Sequence, residues 1–312
     1  MHLRSRLISV LAIFWCSASL TAGSKSTYDF LRADVGARAA ALGGSLVTLT
    51  DDPNVIFYNP AGLSTLSGRK VSVGFFKHLM DVNAGYASFG TEIPQLGFVG
   101  AGVQYINYGE FDRTGEEGQN LGTFSAGELA ITAGYGDQLQ TGLSYGVNAK
   151  FIYSSIAEVR STAVALDFGL QYTAVPNRMI VGTSLLNLGT QLDPYVNTRE
   201  HLPLDFKVGA SLYPEHLPAV IMLNLHRLNE QQDNFVDRFK AFSIGAEFTA
   251  STNVKLRFGY NHERRQESKI RASSGLAGFS TGVGISTGMY AIDYSFSSIG
   301  PIGGLHRISV AF

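Results

Sequence analysis

Cysteine is all but missing from this chain of 312 residues: the only one is Cys16, close to the amino terminus. With no second thiol no internal disulfide can form, so stability must come from hydrogen bonding and packing. Charge is also scarce, at 16% of residues with a formal net charge of −1. There is no basic surplus of the kind that binds nucleic acid, and the charges are spread rather than run together. Beyond the first residues no unbroken apolar run approaches the roughly 20 residues that a spanning helix requires. Catalytic patterns are missing as well. His78, His201, His216, His226, His262 and His306 show no metal-ligand spacing, and no nucleophile and base converge in the linear sequence. Gly100-Ala101-Gly102 is not followed by the strand-to-helix switch of a phosphate loop. No enzyme, metal or cofactor is expected.

The amino terminus has its own logic. Arg4 and Arg6 precede the apolar run Leu7 to Trp15, and small residues follow through Ala22. This is the layout of a secretory signal peptide, residues 1–22, cleaved after Ala22. A lipoprotein reading of Cys16 is disfavoured, because Trp15 is bulky where such sites take a small residue.

What the chain has in abundance is glycine (35), phenylalanine (20) and tyrosine (14). From Val71 onward these fall into runs of about ten residues in which one parity is apolar and the other small or polar, the signature of an outer-membrane barrel strand. In the clearest run Val164, Leu166, Phe168, Leu170 and Tyr172 take one face, and Ala163, Ala165, Asp167, Gly169 and Gln171 the other. The runs Tyr145 to Ser154 and Val254 to Asn261 repeat the pattern. About fourteen runs begin near Val71, Val82, Leu96, Thr123, Leu143, Ser161, Arg178, Leu202, Ala219, Asp237, Val254, Ala277, Met289 and Gly304. Connections after even runs are short. After several odd runs they are long and polar, as in Gly109 to Gly122, Gly189 to His201, Asn229 to Val236 and His262 to Ser273. That is the asymmetry of periplasmic turns and external loops. A soluble β-sandwich would carry charge on its outward face, where this chain places Leu, Phe, Val and Tyr. The expected fold is all-β: a transmembrane antiparallel barrel of about fourteen strands over residues 69–312, in the bacterial outer membrane and in contact with its lipids.

Between leader and barrel, residues 23–68 differ in kind. Ala37 to Leu42 favours a short helix stopped by Gly43-Gly44; Ser45 to Thr50 alternates like a strand; Asp51-Asp52-Pro53 favours a turn; and Asn59-Pro60-Ala61-Gly62 reads as a capped helical turn. Ahead of a barrel with small lumen residues, Asp34 to Leu63 becomes a plug, with Asn59 capping the last turn and Pro60 setting its start.

The lumen parity carries Lys150, Asp167, Asp205, Lys207, Glu247, Lys255, Arg257, Asp293 and Arg307. They could line a permeation or ligand path. Mutual pairing that holds the plug is favoured, because charges buried in a barrel are normally paired and these signs nearly cancel. Two outer loops have opposite signs. Gly109 to Gly122 is acidic, with Glu110, Asp112, Glu116 and Glu117; His262 to Ser273 is basic, with Arg264, Arg265, Lys269 and Arg271. Both are candidate docking surfaces for a protein or an anionic surface polysaccharide, or plain solvated loops.

The stretches Tyr28-Asp29-Phe30-Leu31, GARAAALGG from Gly36 to Gly44 (with Ala37, Arg38 and Gly43) and Asn59-Pro60-Ala61 resemble the amino-terminal signature of the PorV/PorQ family, similar in architecture to the fatty-acid transporter FadL. GVQYINYGEF (Gly102 to Phe111), LGTFSAGELA (Leu121 to Ala130), KFIYSS (Lys150 to Ser155), LLNLGTQLDPY (Leu185 to Tyr195) and LRFGYNHERRQESK (Leu256 to Lys269) favour the PorQ branch. The resemblance implies a non-enzymatic outer-membrane component of the type IX secretion system. It would anchor a PorZ-like surface protein in an attachment complex with PorU and PorV, which joins exported cargo to anionic lipopolysaccharide. The alternative is a FadL-like transporter of hydrophobic solutes, gated by the amino-terminal segment. That reading requires a lateral opening or an apolar internal pocket, and the alternating lumen faces do not show one.

Overall fold

A computed structural model describes residues 26–77, 82–230, 234–268 and 275–312. The expected leader lies outside the described residues.

Fourteen strands close into one antiparallel barrel in sequence order, with the first paired to the last. They are β1 (Lys70–Lys77), β2 (Asn83–Ile93), β3 (Gly97–Thr114), β4 (Asn120–Gln140), β5 (Leu143–Ile156), β6 (Val159–Val175), β7 (Met179–Asp193), β8 (Asp205–Leu212), β9 (Ala219–Leu225), β10 (Phe242–Ser251), β11 (Val254–Asn261), β12 (Phe279–Ser286), β13 (Ala291–Ser298) and β14 (Gly304–Ala311). The seam is sealed by reciprocal backbone bonds, Val71 N–H to Phe312 O at 2.8 Å and Phe312 N–H to Val71 O at 2.9 Å. Alternation places the side chains as its period of two requires. On β6 the outward Val164, Leu166, Phe168, Leu170 and Tyr172 are 38–45% exposed, while the inward Ala163, Ala165 and Asp167 are buried.

Short turns gather at one end, which we assign to the periplasm. The wall is uneven in height at the other. β3 to β7 run 14 to 21 residues, against 7 to 10 for β8 to β14.

Three sequence expectations need correction. Ser45 to Thr50 is not a strand. It lies in the lumen with Leu46, Val47 and Leu49 buried, and side chains tie it to the wall, Ser45 to Ser243 at 2.7 Å and Thr48 to Ser211 at 2.5 Å. The runs expected from Leu202 and Asp237 start later as strands. Leu202 and Leu204 turn inward and are buried, and Phe235–Lys240 forms a 3-10 helix before β10. The acidic loop 109–122 is mostly strand: β3 continues to Thr114 and β4 resumes at Asn120.

The amino-terminal segment runs down the lumen from the outer end to the periplasmic end. It contains α1 (Ala37–Ala41) and 3-10 turns at Asp29–Arg32, Pro53–Phe57 and Pro60–Thr65. Gly43 and Gly44 follow α1 at φ 66° and 81°, the left-handed geometry that ends a helix. Asp52 caps the Pro53 turn by accepting from Asn54 N–H at 2.9 Å, where the sequence favoured a turn.

Candidate functional site: the filled lumen and its outer chamber

The lumen has three tiers. In the lowest, Leu46, Leu49, Val55, Ile56, Leu63 and Leu66 form one buried apolar cluster. The wall meets it with glycine. A Cβ placed on Gly146 would sit 2.3 Å from the Pro60 carbonyl carbon, and one on Gly169 2.0 Å from Asn59 Oδ1. Plug backbone thus packs directly on strand backbone. Asn59 does more than cap: its Oδ1 accepts from Ala61 N–H at 3.1 Å, and its Nδ2 donates to Val47 O at 2.8 Å and Leu170 O at 3.1 Å.

Ion pairs run from the periplasmic end, beside the turn at 286–291, into the middle tier. Arg38 from α1 donates to both oxygens of Glu247, at 3.0 and 3.1 Å, and to Asp52 at 3.1 Å. Arg257 joins Glu247 at 2.6 Å to Asp293 at 2.5 Å, and Lys255 approaches Glu247 at 3.3 Å. Three cations therefore meet three carboxylates. Around the wall Lys150 pairs with Asp167 at 2.9 Å and Lys207 with Asp205 at 3.2 Å. The Lys150–Asp167 pair is completed by residues that sequence reading did not single out. Asn148 donates to Asp167 at 2.9 Å and to Ile56 O at 2.8 Å, and Asn187, at φ 61° in β7, presents its N–H to Asp167 at 2.8 Å. The lumen parity of Asn148 was readable; the kink at Asn187 was not.

The outer tier is hollow. A cavity of about 400 Å³ is lined by Phe76, Val82, Ile106, Tyr108, Ile299 and Leu305 together with Asp34, Arg264, Glu267 and Arg307. Arg307 is 6% exposed, and among the described residues no carboxylate lies within ion-pair distance of it. Its guanidinium sits 4.6 Å from the Phe76 ring centre, its Nε has no hydrogen-bond partner, and one nitrogen reaches Ser297 at 3.4 Å. A second cavity of about 280 Å³ lies across Asp34 and Arg264 and is lined mainly by charged groups.

Of the family-motif positions, Gly36 precedes α1 at φ 93° and Ala37 donates its N–H to Ser309 at 2.7 Å. All nine lumen charges sit on the inner parity, and among the described residues Arg307 is the one of them in no ion pair. The docking residues separate. Glu110, Asp112, Glu116 and Glu117 are exposed on a β3–β4 projection. Arg264, in α2 (His262–Glu267), turns inward to Asp34 at 2.5 Å, so it is not the free surface cation expected. Arg265 is half-buried beside Gly278. Lys269 and Arg271 lie outside the described residues. The sequence objection that no apolar internal pocket exists is also corrected: apolar residues from β1, β3 and β14 converge only when the barrel closes.

No family model matches the chain, and no curated protein matches it by sequence. Solved structures do match in shape. The toluene transporter TbuX of Ralstonia pickettii aligns with TM-score 0.59 and 13% identity over 88% of this chain and 96% of its own. The Pseudomonas putida toluene transporter TodX gives 0.58 and 12% over the same shares. A Pseudomonas aeruginosa FadL homologue gives 0.56 and 8% over 89% and 98%. At such identities the likeness is one of fold. The chain is a closed fourteen-strand outer-membrane-type barrel with a FadL-like architecture, and two of these neighbours are toluene transporters.

Proposed function

We propose that this barrel takes up or holds a hydrophobic solute with an anionic end in the outer chamber. The carrying observation is the buried Arg307 in a largely apolar cavity, since a buried cation with no described carboxylate in ion-pair reach is costly and an incoming anion relieves it. The transport roles of the fold neighbours support the reading. The plug would act as gate, because the lowest tier fills the lumen. Purified barrel in liposomes should pass a monoaromatic hydrocarbon faster than empty liposomes. Decanoate should bind, and Arg307→Met should weaken it about tenfold, near 1.4 kcal/mol, while decanol binding stays unchanged. Flux equal to empty liposomes, with no decanoate binding, sinks the proposal.

A second reading is favoured by the filled lower lumen, the one-sided tall rim and the PorV/PorQ-like motifs. In it the barrel is a type IX secretion component that anchors a PorZ-like surface protein beside PorU and PorV, near anionic lipopolysaccharide. Purification from native outer membrane should then retain one surface protein in fixed ratio, with no solute flux. Recovery of the barrel alone from gently solubilised membrane counts against it.

A further inference from the structure

Beyond Asn107 the wall gives way, among the described residues, to a two-stranded ribbon. β2 begins at Asn83, opposite Asn107, and the last β4–β5 pair is Ala126 with Ile156. From Glu110 to Thr114, β3 pairs only with Asn120 to Ser125 of β4. One further backbone bond, Ala157 N–H to Ser125 O at 3.0 Å, ties the base of the β4 side. Among the described residues the β3 edge over 108–114 faces no strand.

Free edges are templates for pairing, and a lone two-stranded ribbon is marginal in water unless something covers it. Here the side-chain support is a Phe111–Phe124 stack with ring centres 5.3 Å apart and Arg113 lying 5.9 Å above Phe124, with tip bonds such as Gly115 N–H to Gln119 O at 2.8 Å. Phe111 remains 43% exposed and Leu121 57%. The charge is one-sided. Glu110, Asp112, Glu116 and Glu117 face solvent, and the single guanidinium, Arg113, is engaged by Glu158 at 2.6 Å.

We propose that the 108–114 edge receives an extended segment of a second protein as an added β-strand. Main-chain bonds would supply affinity; basic side chains against Glu110 and Asp112, and an apolar one on Phe111, would supply selection. Self-pairing between two copies would set like charges opposite each other, which is unfavourable, and an anionic polysaccharide meets the same repulsion. The inference adds a mode of contact to the anchor reading and is independent of solute flux.

The test uses the full-length barrel in nanodiscs and amide hydrogen exchange. The probe is a dodecapeptide alternating Lys with Val and Thr; a Glu-for-Lys copy serves as control. Alternate amides between Tyr108 and Thr114 should exchange at least tenfold more slowly with the basic peptide only. The quadruple variant E110K/D112K/E116K/E117K should lose this protection while its barrel melts as the parent does. Protection by both peptides, by neither, or by dextran sulfate instead overturns the proposal, as does protection that grows with barrel concentration alone. In native membrane, a photocrosslinker at 110 and 112 should capture the same surface protein that co-purifies. Co-purification that survives replacement of 109–122 by a Gly-Ser turn overturns the strand-addition site while leaving the anchor reading intact; failure of co-purification in the parent sinks that reading instead.

Discussion

The periplasmic end of this lumen is closed by different physics along two arcs of the wall. Along β3 to β6, Leu63 and Pro60 lie on strand glycines at distances that leave no room for a methyl group, and shape does the sealing. Along β10 to β13, Arg38, Glu247, Arg257 and Asp293 lock the plug to the wall by charge, beside the turn at 286–291; farther out, space remains around Arg307. A shape seal is broken by adding volume, and a charge lock by removing a partner. The tight tier suits a barrier, and the loose tier suits a binding chamber.

The largest expected effect lies in the charge lock. Glu247→Ala leaves Arg38, Arg257 and Lys255 short of a counter-charge at a site where Glu247 is 5% exposed, and should cost about 3 kcal/mol in urea unfolding of the detergent-folded barrel. An unchanged midpoint would mean that the plug is not held by charge. Gly146→Val attacks the shape seal. It should cost about 1–3 kcal/mol and, unlike the Glu247 change, should raise single-channel conductance by lifting the Asn59–Pro60 turn; equal conductance in both variants would erase the distinction between the two arcs. Asn59→Ala removes a cap and two side-chain bonds within the seal and should cost about 1–2 kcal/mol, with a leak smaller than that of Gly146→Val. Smallest is Glu116→Gln with Glu117→Gln at the projecting tip, where the barrel midpoint should move by less than about 0.5 kcal/mol. A larger shift would tie the ribbon to the barrel's own stability.

Much of the barrel was legible because alternation is local. Val164 to Tyr172 announce their face without knowledge of any other strand, and thirteen turns or loops punctuate the fourteen strands. The cap at Asn59 was legible for the same reason, since Asn-Pro is a short-range signal and Asn59 accepts from Ala61 only two residues on. The misread pieces lie where local signal and tertiary demand part. Ser45 to Thr50 alternates, yet it has no neighbouring strand to bond and follows the lumen instead. Arg264 sits in a basic stretch, yet its side chain turns in to Asp34, 230 positions earlier in a chain of 312.

A lipid-facing barrel with a small-residue lumen and a distinct amino-terminal segment is written locally in the chain, because a period of two and the chemistry of Gly, Ala and Pro act over a few residues. Folding alone sets which lumen charges pair, that among the described residues no carboxylate lies in ion-pair reach of Arg307, that an apolar chamber exists beside it, and that the acidic loop stands up as a ribbon. Each of these depends on register and ring closure, which bring together residues as distant as Arg38 and Glu247, 209 positions apart.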